Sequence, residues 1–441
     1  MMQIVPDLDR MIGLEVYSTT TEGVKGRIKR RKGSNGYGYG YGYGYGYGYD
    51  NFVVEEVIDH SRVSISKVND GKHRYPVFIL RKEGIDTIHA LKELESKYGL
   101  KLNALGLKDA NALTLQYVTT DKVIGEELHT RHCVLTLAGY SDRMLRKREL
   151  VGNRFTITIE LESSIDYDDV YLKVHRVMMD VKARRVGNFY GYQRFGSIRP
   201  VTHLIGKAIV KRRFKEAVDT FLTYVGEHES EQSRRVRLML GNLNAEIVEG
   251  IPYSMDLERE LAKGIIKDGD PIKALRRLPV SVRRLFVEAY QAYIFNRALS
   301  TAIREGYDIS TPRIGDICFT VDANNRVCDI CRYDDTSNAH LVPAMPLAGF
   351  AFKPIGRFGA IVEGIMKEEE ISTKDFYIKE MQEVSIEGGF RPLPLLLLYN
   401  MFEINKDDES IQVRFALPKG SYATILLREI IKPVRPALVG F

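Results

Sequence analysis

Polar and apolar residues alternate along several short stretches of this chain, and each such stretch predicts a strand. Phe155, Ile157, Ile159 and Leu161 take every second place in one of them, and residues 411–417 alternate in the same way. Residues 52–57 and 133–137 are short apolar runs that also suit strands, the first ending on Glu55 and Glu56. In residues 113–117, Leu113, Leu115 and Tyr117 point one way while Thr114 and Gln116 point the other.

Elsewhere the period is helical. Residues 88–98 form a predicted helix, capped by Asp86 or Thr87 and ended by Gly99. Residues 169–185 carry the stripe Val174, Val177, Met178 and Val181. One long helix is expected over 203–224, striped by Phe214, Ala217, Val218 and Phe221. A second, over 283–304, has aromatic residues on several sides and should be well buried. Residues 314–354 read as short strands and turns. Glu368, Glu369 and Glu370 are expected to open a further helix, and residues 388–392 to form a hinge. A turn at Pro418, Lys419 and Gly420 then leads into a short helix over 422–430.

A chain of 441 residues is too long for one ordinary core, so two or three domains are expected. Hydrophobic residues make up 44% and charged residues 28%, the balance of a folded soluble protein. The longest apolar run, 393–398, is far short of the roughly 20 residues that span a bilayer. The first ten residues contain Asp7 and Asp9 and no apolar signal core, so a cytoplasmic location is expected. Four cysteines are too few for a secreted disulfide scaffold. Cys328 and Cys331 have the spacing of a metal pair and could join Cys318 and His340, but no second pair follows, and no metal is expected.

Net charge is +6. The charge is clustered, at Lys25 to Lys32, Arg143 to Arg148, Arg184 and Arg185, Lys211 to Arg213, Arg234 and Arg235, Arg276 and Arg277, and Arg283 and Arg284. Recurrent clusters suit a polyanion held along a surface, although any one of them can be a solvated helix face. Strict Gly-Tyr alternation fills residues 36–49. Glycine at every second place has a large backbone entropy, so a loop joining two strands is expected there.

Two loops carry candidate chemistry. Gly106, Leu107, Lys108 and Asp109 form a polar island between strand-like runs, a place where a nucleophile or base is often held, although Asp beside Gly is also an ordinary turn residue. Residues 186–196 hold Phe189, Tyr190, Tyr192 and Phe195 among three glycines, with Asn188, Gln193 and Arg194. Such a loop suits an unstacked base, or else plugs the core.

Five blocks in order resemble one family, the TruD-type tRNA pseudouridine synthases. They are Phe52 to Glu56; Gly106 to Asp109 with Ala112, Thr114 and Gln116; Asn188 to Gly191 with Gln193 to Gly196; Ala289 to Asn296; and Phe415 to Thr424, running on to Glu429. The Gly-Tyr tract departs from the pattern, as an insertion where the family has a short connection.

The resemblance implies an α+β fold, in which a catalytic domain with a mixed, mainly antiparallel sheet carries an inserted α+β domain. Residues 1–200 and 386–441 would form the catalytic domain and 201–385 the insertion, with RNA in the cleft between them. The implied reaction turns a uridine in tRNA, typically at position 13, into pseudouridine. It needs no cofactor, and the protein would act as a monomer with no protein partner. Asp109 would be the essential carboxylate, by attack on C1′ or C6 or by removing a sugar proton. A cationic partner is needed to keep it ionised in a closed site, with Arg428 as the candidate. Lys108 would meet a phosphate, Phe189 or Tyr190 would stack on the base, and Asn188 would read a uracil edge. Gln193 and Arg194 complete the expected RNA-binding set. A non-catalytic RNA-binding protein on the same scaffold is the alternative, and the motif around Asp109 argues against it.

Overall fold

The computed structural model describes residues 4–29, 51–108, 110, 112–122, 125–162, 166–196, 198–335, 340–407 and 409–441. Asp109, Asn111 and the Gly-Tyr tract lie outside these residues.

Strands β1 (Gly26–Ile28), β2 (Phe52–Ile58), β3 (Ile65–Ser66), β4 (Tyr75–Lys82), β5 (Asn103–Ala104), β6 (Leu113–Thr119), β7 (Glu127–His129), β8 (Cys133–Ser141) and β9 (Leu150–Leu161) build most of one sheet. A second sheet comprises β10 (Ile317–Val321), β11 (Val327–Arg332), β12 (Leu341–Leu347) and β13 (Gly389–Pro392). The chain then returns to the first sheet through β14 (Phe402–Asp407) and β15 (Ser410–Pro418). The order of the main path is β14-β15-β9-β2-β6-β4-β8-β3. Among the described residues, only β2 and β6 pair in parallel; the other pairs in this sheet are antiparallel. The fold is thus α+β with a mixed, mainly antiparallel sheet, and a distinct subdomain bearing the second sheet is set between its first and last strands.

The alternating strand 155–161 is the centre of β9, which is twelve residues long. One edge of β9 takes β15 from Gly152↔Pro418 to Glu160↔Ser410. The other takes β2 and then β1, end to end. Thr158 marks the join, since its carbonyl accepts from the Lys29 amide (2.9 Å) and its amide donates to the Asn51 carbonyl (2.8 Å).

Helices α1 (Asp7–Met11), α2 (Thr87–Tyr98) and α3 (Tyr167–Lys182) belong to the first part of the chain. The Asp86 side chain caps α2 and Gly99, at φ 66°, ends it. Helix α3 buries Val174, Val177, Met178 and Val181 as the stripe predicts. The long helix expected over 203–224 is two, α4 (Thr202–Val210) and α5 (Phe214–Thr223). Arg212 breaks it at φ 61°, and its guanidinium donates to the carbonyls of Asp375 and Tyr377. Four further helices, α6 (Glu231–Leu240), α7 (Ala245–Glu249), α8 (Asp256–Asp268) and α9 (Pro271–Arg276), lead to α10 (Val280–Arg304). Helix α10 is buried on most sides, as its aromatic residues suggest. After it come α11 (Gly356–Glu368) and α12 (Ala423–Ile431).

Two expectations are corrected. Glu368–Glu370 closes α11 instead of opening a helix, because Glu369 is drawn into the core by Lys207 (2.8 Å), Arg297 (3.1 Å) and the Tyr290 hydroxyl (2.9 Å). The expected hinge at 388–392 is mostly strand β13, which extends the second sheet past the boundary expected at 385. Among the described residues, no helix is long and apolar enough to cross a membrane.

Candidate active site

The loop entering Asp109 is fastened from three sides. Gln116 lies on β6 with its side chain inward and is fully buried. Its amide Nε2 donates to the Gly106 carbonyl (2.9 Å), and its Oε1 accepts from the Thr87 hydroxyl (2.9 Å). Thr87, the first residue of α2, also accepts from the Lys108 amide at Oγ1 (2.8 Å) and donates its own amide to the Lys108 carbonyl (3.2 Å). The polar face of this strand, Thr114 and Gln116, is therefore buried more deeply than Leu115 and Tyr117, since the apolar face is not the one that holds the loop.

Lys108 does not present its charge to solvent. Its Nζ pairs with Glu56 Oε1 at 3.0 Å, and the Glu56 side chain is wholly buried at the end of β2. The other Glu56 oxygen accepts from the Tyr117 amide (2.9 Å). A Cβ at Gly106 would lie 3.1 Å from both Glu56 Oε1 and Lys108 Nζ, so a larger residue there would press on the pair. The ammonium expected to meet a phosphate is engaged by Glu56, since a buried carboxylate requires a counter-charge.

Sequence reasoning passed over Lys82, at the end of β4. It is 1% exposed and its Nζ donates to the Ile85 carbonyl (2.9 Å). Lys82 pairs in register with Thr114, so the two side chains share a face of the sheet, immediately after the loop that carries Asp109. A lysine among the apolar positions of a strand is the signal that could have singled it out.

The second loop is held by α10 and β13. Asn296 accepts from the Tyr190 amide (2.8 Å) and donates to its carbonyl (3.1 Å). Phe189 is fully buried, so it plugs the core and offers no face to a base. Asn188 is engaged at both ends of its amide: Oδ1 accepts from Arg391 (3.0 Å) and Nδ2 donates to the Pro392 carbonyl (3.2 Å). Tyr190 is half-buried, with the Arg391 guanidinium 4.0 Å over its ring. Arg194 pairs with Glu288 (3.1 Å) and donates to the Tyr422 hydroxyl (3.3 Å). Gln193 is exposed and accepts from the Thr424 hydroxyl (3.1 Å).

Arg428 is placed elsewhere. It is fully buried and pairs with Asp9 (2.5 Å), donates to the Val16 carbonyl (2.9 Å) and lies 4.1 Å over the Tyr17 ring. The Tyr192 hydroxyl donates to the same Asp9 (2.6 Å). Its burial, and a carboxylate partner drawn from α1, leave it no RNA surface. The clustered arginines are also partly internal. Arg143 and Arg148 pair with buried Glu149 (3.1 and 3.0 Å), and buried Arg283 pairs with Glu383. Burial alone would raise Glu149, but the Arg146 amide and the Arg148 and Arg143 guanidinia outweigh it and hold the carboxyl below its usual range.

The second loop reaches, through Asn188, a cavity of about 560 Å³ between the sheets. Asp59, Leu150, Asn188 and Lys419 line it from the first part of the fold, and Asp322, Arg326 and Arg391 from the second. Leu150 connects it to the first loop, lying 3.5 Å from a Cβ built at Gly106. Arg326 bridges the opening, with Nη1 on Asp59 (2.8 Å) and Nε on Asp322 (2.5 Å). Cys318 faces Cys331 across β10 and β11, and the Cys328 thiol donates to the Arg326 carbonyl (3.4 Å). The arrangement is a cation-rich cleft between two structural units, next to a rigidly held loop.

Comparison with known proteins fits this geometry. The family model described as tRNA pseudouridine synthase D (TruD) matches residues 11–430. A curated relative from Methanopyrus kandleri, described as probable tRNA pseudouridine synthase D, is 34% identical over 376 residues, covering 82% of this chain and 86% of its own. Another from Pyrobaculum islandicum, described in the same words, is 29% identical and covers 99% of both chains. A crystal structure of a candidate tRNA pseudouridine synthase D (TruD) from Methanosarcina mazei superposes with a TM-score of 0.76 at 27% identity, over 99% of this chain and 100% of that one. A cleft between a mixed sheet and an inserted subdomain, with matches running nearly end to end, leads to one assignment: the chain belongs to the TruD family of tRNA pseudouridine synthases.

Proposed function

We propose that the cavity receives a uridine of tRNA, at position 13, and that Asp109 is the carboxylate on which its isomerisation depends. The N1–C1′ bond breaks, the uracil turns, and a C5–C1′ bond forms. C5 loses its hydrogen and N1 ends with one, so no redox partner is required. The observation that carries the reading is the fastening of the loop before Asp109, whose flanks are fixed by Gln116, Thr87 and the Lys108–Glu56 pair. Such rigidity suits a group that must be held within a fraction of an ångström of a reacting carbon.

Lys82 is the counter-charge in this reading. Its place opposite Thr114 supports the role, and an ammonium at that depth favours an ionised carboxylate beside it. Residues 201–385, with β13 completing their sheet, serve as the inserted domain, and the protein works as a monomer in the cytoplasm. Extruding the base from its stack costs a few kcal/mol, which contacts in the cleft offset.

Release of tritium from tRNA labelled at uracil C5 tests the reading. Wild-type protein should release label to water. Asp109→Asn should release none while still binding tRNA. Release by that variant at the wild-type rate would remove Asp109 from the chemistry.

A further inference from the structure

Among the described residues, the buried arginines have carboxylate partners with one exception. Arg428 has Asp9, Arg237 has Glu229 and Glu258, and Arg283 has Glu383. Arg391 is 7% exposed, and no Asp or Glu among the described residues pairs with it. Its Nε and Nη2 donate to the Asn188 carbonyl (2.9 Å) and Oδ1 (3.0 Å), and its plane lies on Tyr190. Those contacts fix the guanidinium without neutralising it. A buried charge lacking a counter-charge is costly, so its retention at the wall of a cavity points to a ligand that supplies one.

The remaining nitrogen, Nη1, has a defined outlook. It lies 3.7 Å from where a side chain on Gly420 would begin, and Gly420 has none. Gly420 belongs to the turn between β15 and α12, whose Lys419 and Ser421 line the same cavity as Arg391. Lys419 is exposed and forms no ion pair among the described residues. Arg62, Arg148 and Arg326, which also line the cavity, differ in having Asp59, Glu149 and Asp322. One wall therefore gathers two cations without carboxylates and a hydroxyl donor. The Arg391 face is taken by Tyr190 and two of its nitrogens by the second loop, so only Nη1 is left to donate, which suits an oxygen of a phosphodiester better than the plane of a base.

We propose that Arg391, Lys419 and Ser421 seat the backbone phosphate on one side of the target uridine. The seat rests on the reading of the cavity as the uridine site. It fixes the ribose relative to the loop of Asp109, and it gives the extruded nucleotide an electrostatic anchor that carries no sequence information. Arg391 and Lys419 bind the substrate directly in this scheme.

The test uses tRNA assembled by ligation with a neutral methylphosphonate on the 5′ or the 3′ side of the target uridine, tritiated at C5. For wild-type protein, one of the two substitutions should raise KM about ten-fold with little change in kcat, the loss expected for one charge-assisted contact. Lys419→Ala, on an exposed turn, should raise KM about ten-fold with unmodified tRNA. It should then lose less than about two-fold more with the sensitive methylphosphonate. Arg391→Lys, which keeps the charge and loses the fork, should show the same coupling. If the losses from Lys419→Ala and from methylphosphonate multiply, or if neither methylphosphonate affects KM, the phosphate seat is wrong. Asp109→Asn separates the two readings: full label release by it would displace the uridine site and the seat together, whereas an inactive Asp109→Asn with multiplying losses would remove the seat alone.

Discussion

Lys108 and Glu56 form a 3.0 Å ion pair that joins the loop before Asp109 to the end of a strand more than fifty positions earlier, and the Glu56 side chain has no exposure to solvent. Removing the ammonium leaves that carboxylate buried and alone. Lys108→Met should therefore destabilise the protein by about 3–5 kcal/mol. Adding Glu56→Gln should restore much of the loss, because the partner charge is gone as well. Denaturant unfolding of both variants checks this, and equal destabilisation by the single and double variants would contradict the pairing.

Gln116 makes a separable prediction. Gln116→Leu keeps volume but frees the Gly106 carbonyl and removes one of the two acceptors of the Thr87 hydroxyl. The stability cost should be about 1–3 kcal/mol for buried groups left unsatisfied. The rate of label release should fall at saturating tRNA, while tRNA affinity stays close to wild type. A loss seen only in affinity would show that the loop is not what Gln116 positions.

Arg428 should behave as a residue of the core. Arg428→Leu leaves Asp9 buried beside Tyr192, and should cost about 3–5 kcal/mol. Where the variant remains folded at low temperature, the salt dependence of tRNA binding should match wild type, since no phosphate contact has gone. A shallower salt slope would return Arg428 to the RNA surface.

His203 on α4 stacks on Tyr293 (5.2 Å) and meets Phe195 edge-on (5.4 Å). Burial pushes its pKa down to about 4, against an opposing hydrogen bond with the Met11 backbone and with a further push down from Lys207. The folded protein therefore holds this imidazole neutral where the unfolded chain, near 6.5, binds a proton. Its contribution is complete above pH 6.5 and is lost as pH falls toward 4, by about 3 kcal/mol in all. Equilibrium unfolding at pH 7, 6 and 5 should show this decline in wild type, and a flatter profile in His203→Phe.

Local signals in the sequence carry over well into the structure. The Asp86 cap and the Gly99 stop bound α2, and the alternation at 155–161 marks the centre of β9. What escaped is set by distant partners. Nothing beside Arg212 breaks a helix, since the break depends on carbonyls of residues 375 and 377. Glu369 looks like a helix start until Lys207 and Arg297 reach it from other helices. Phe189 and Tyr190 are alike in composition, and only packing decides that one is sealed in and the other half open. The partner of Arg428 lies 419 positions away, and the uncompensated charge of Arg391 is visible only once the other buried arginines among the described residues have been matched.

The placement of β15 against β9 bears on how the protein comes into being. During synthesis the first part of the chain emerges with one long edge of β9 unpaired, and its partner is translated some 250 residues later. At roughly 5–20 residues per second, that edge waits on the order of ten to fifty seconds. An open edge of Ile157, Ile159 and their neighbours is a template for the wrong strand. The inserted subdomain, made in the interval, has time to fold first. The ribosome thus delivers a finished insertion on an unfinished catalytic sheet, and that edge of β9 is closed only once β15 has left the exit tunnel.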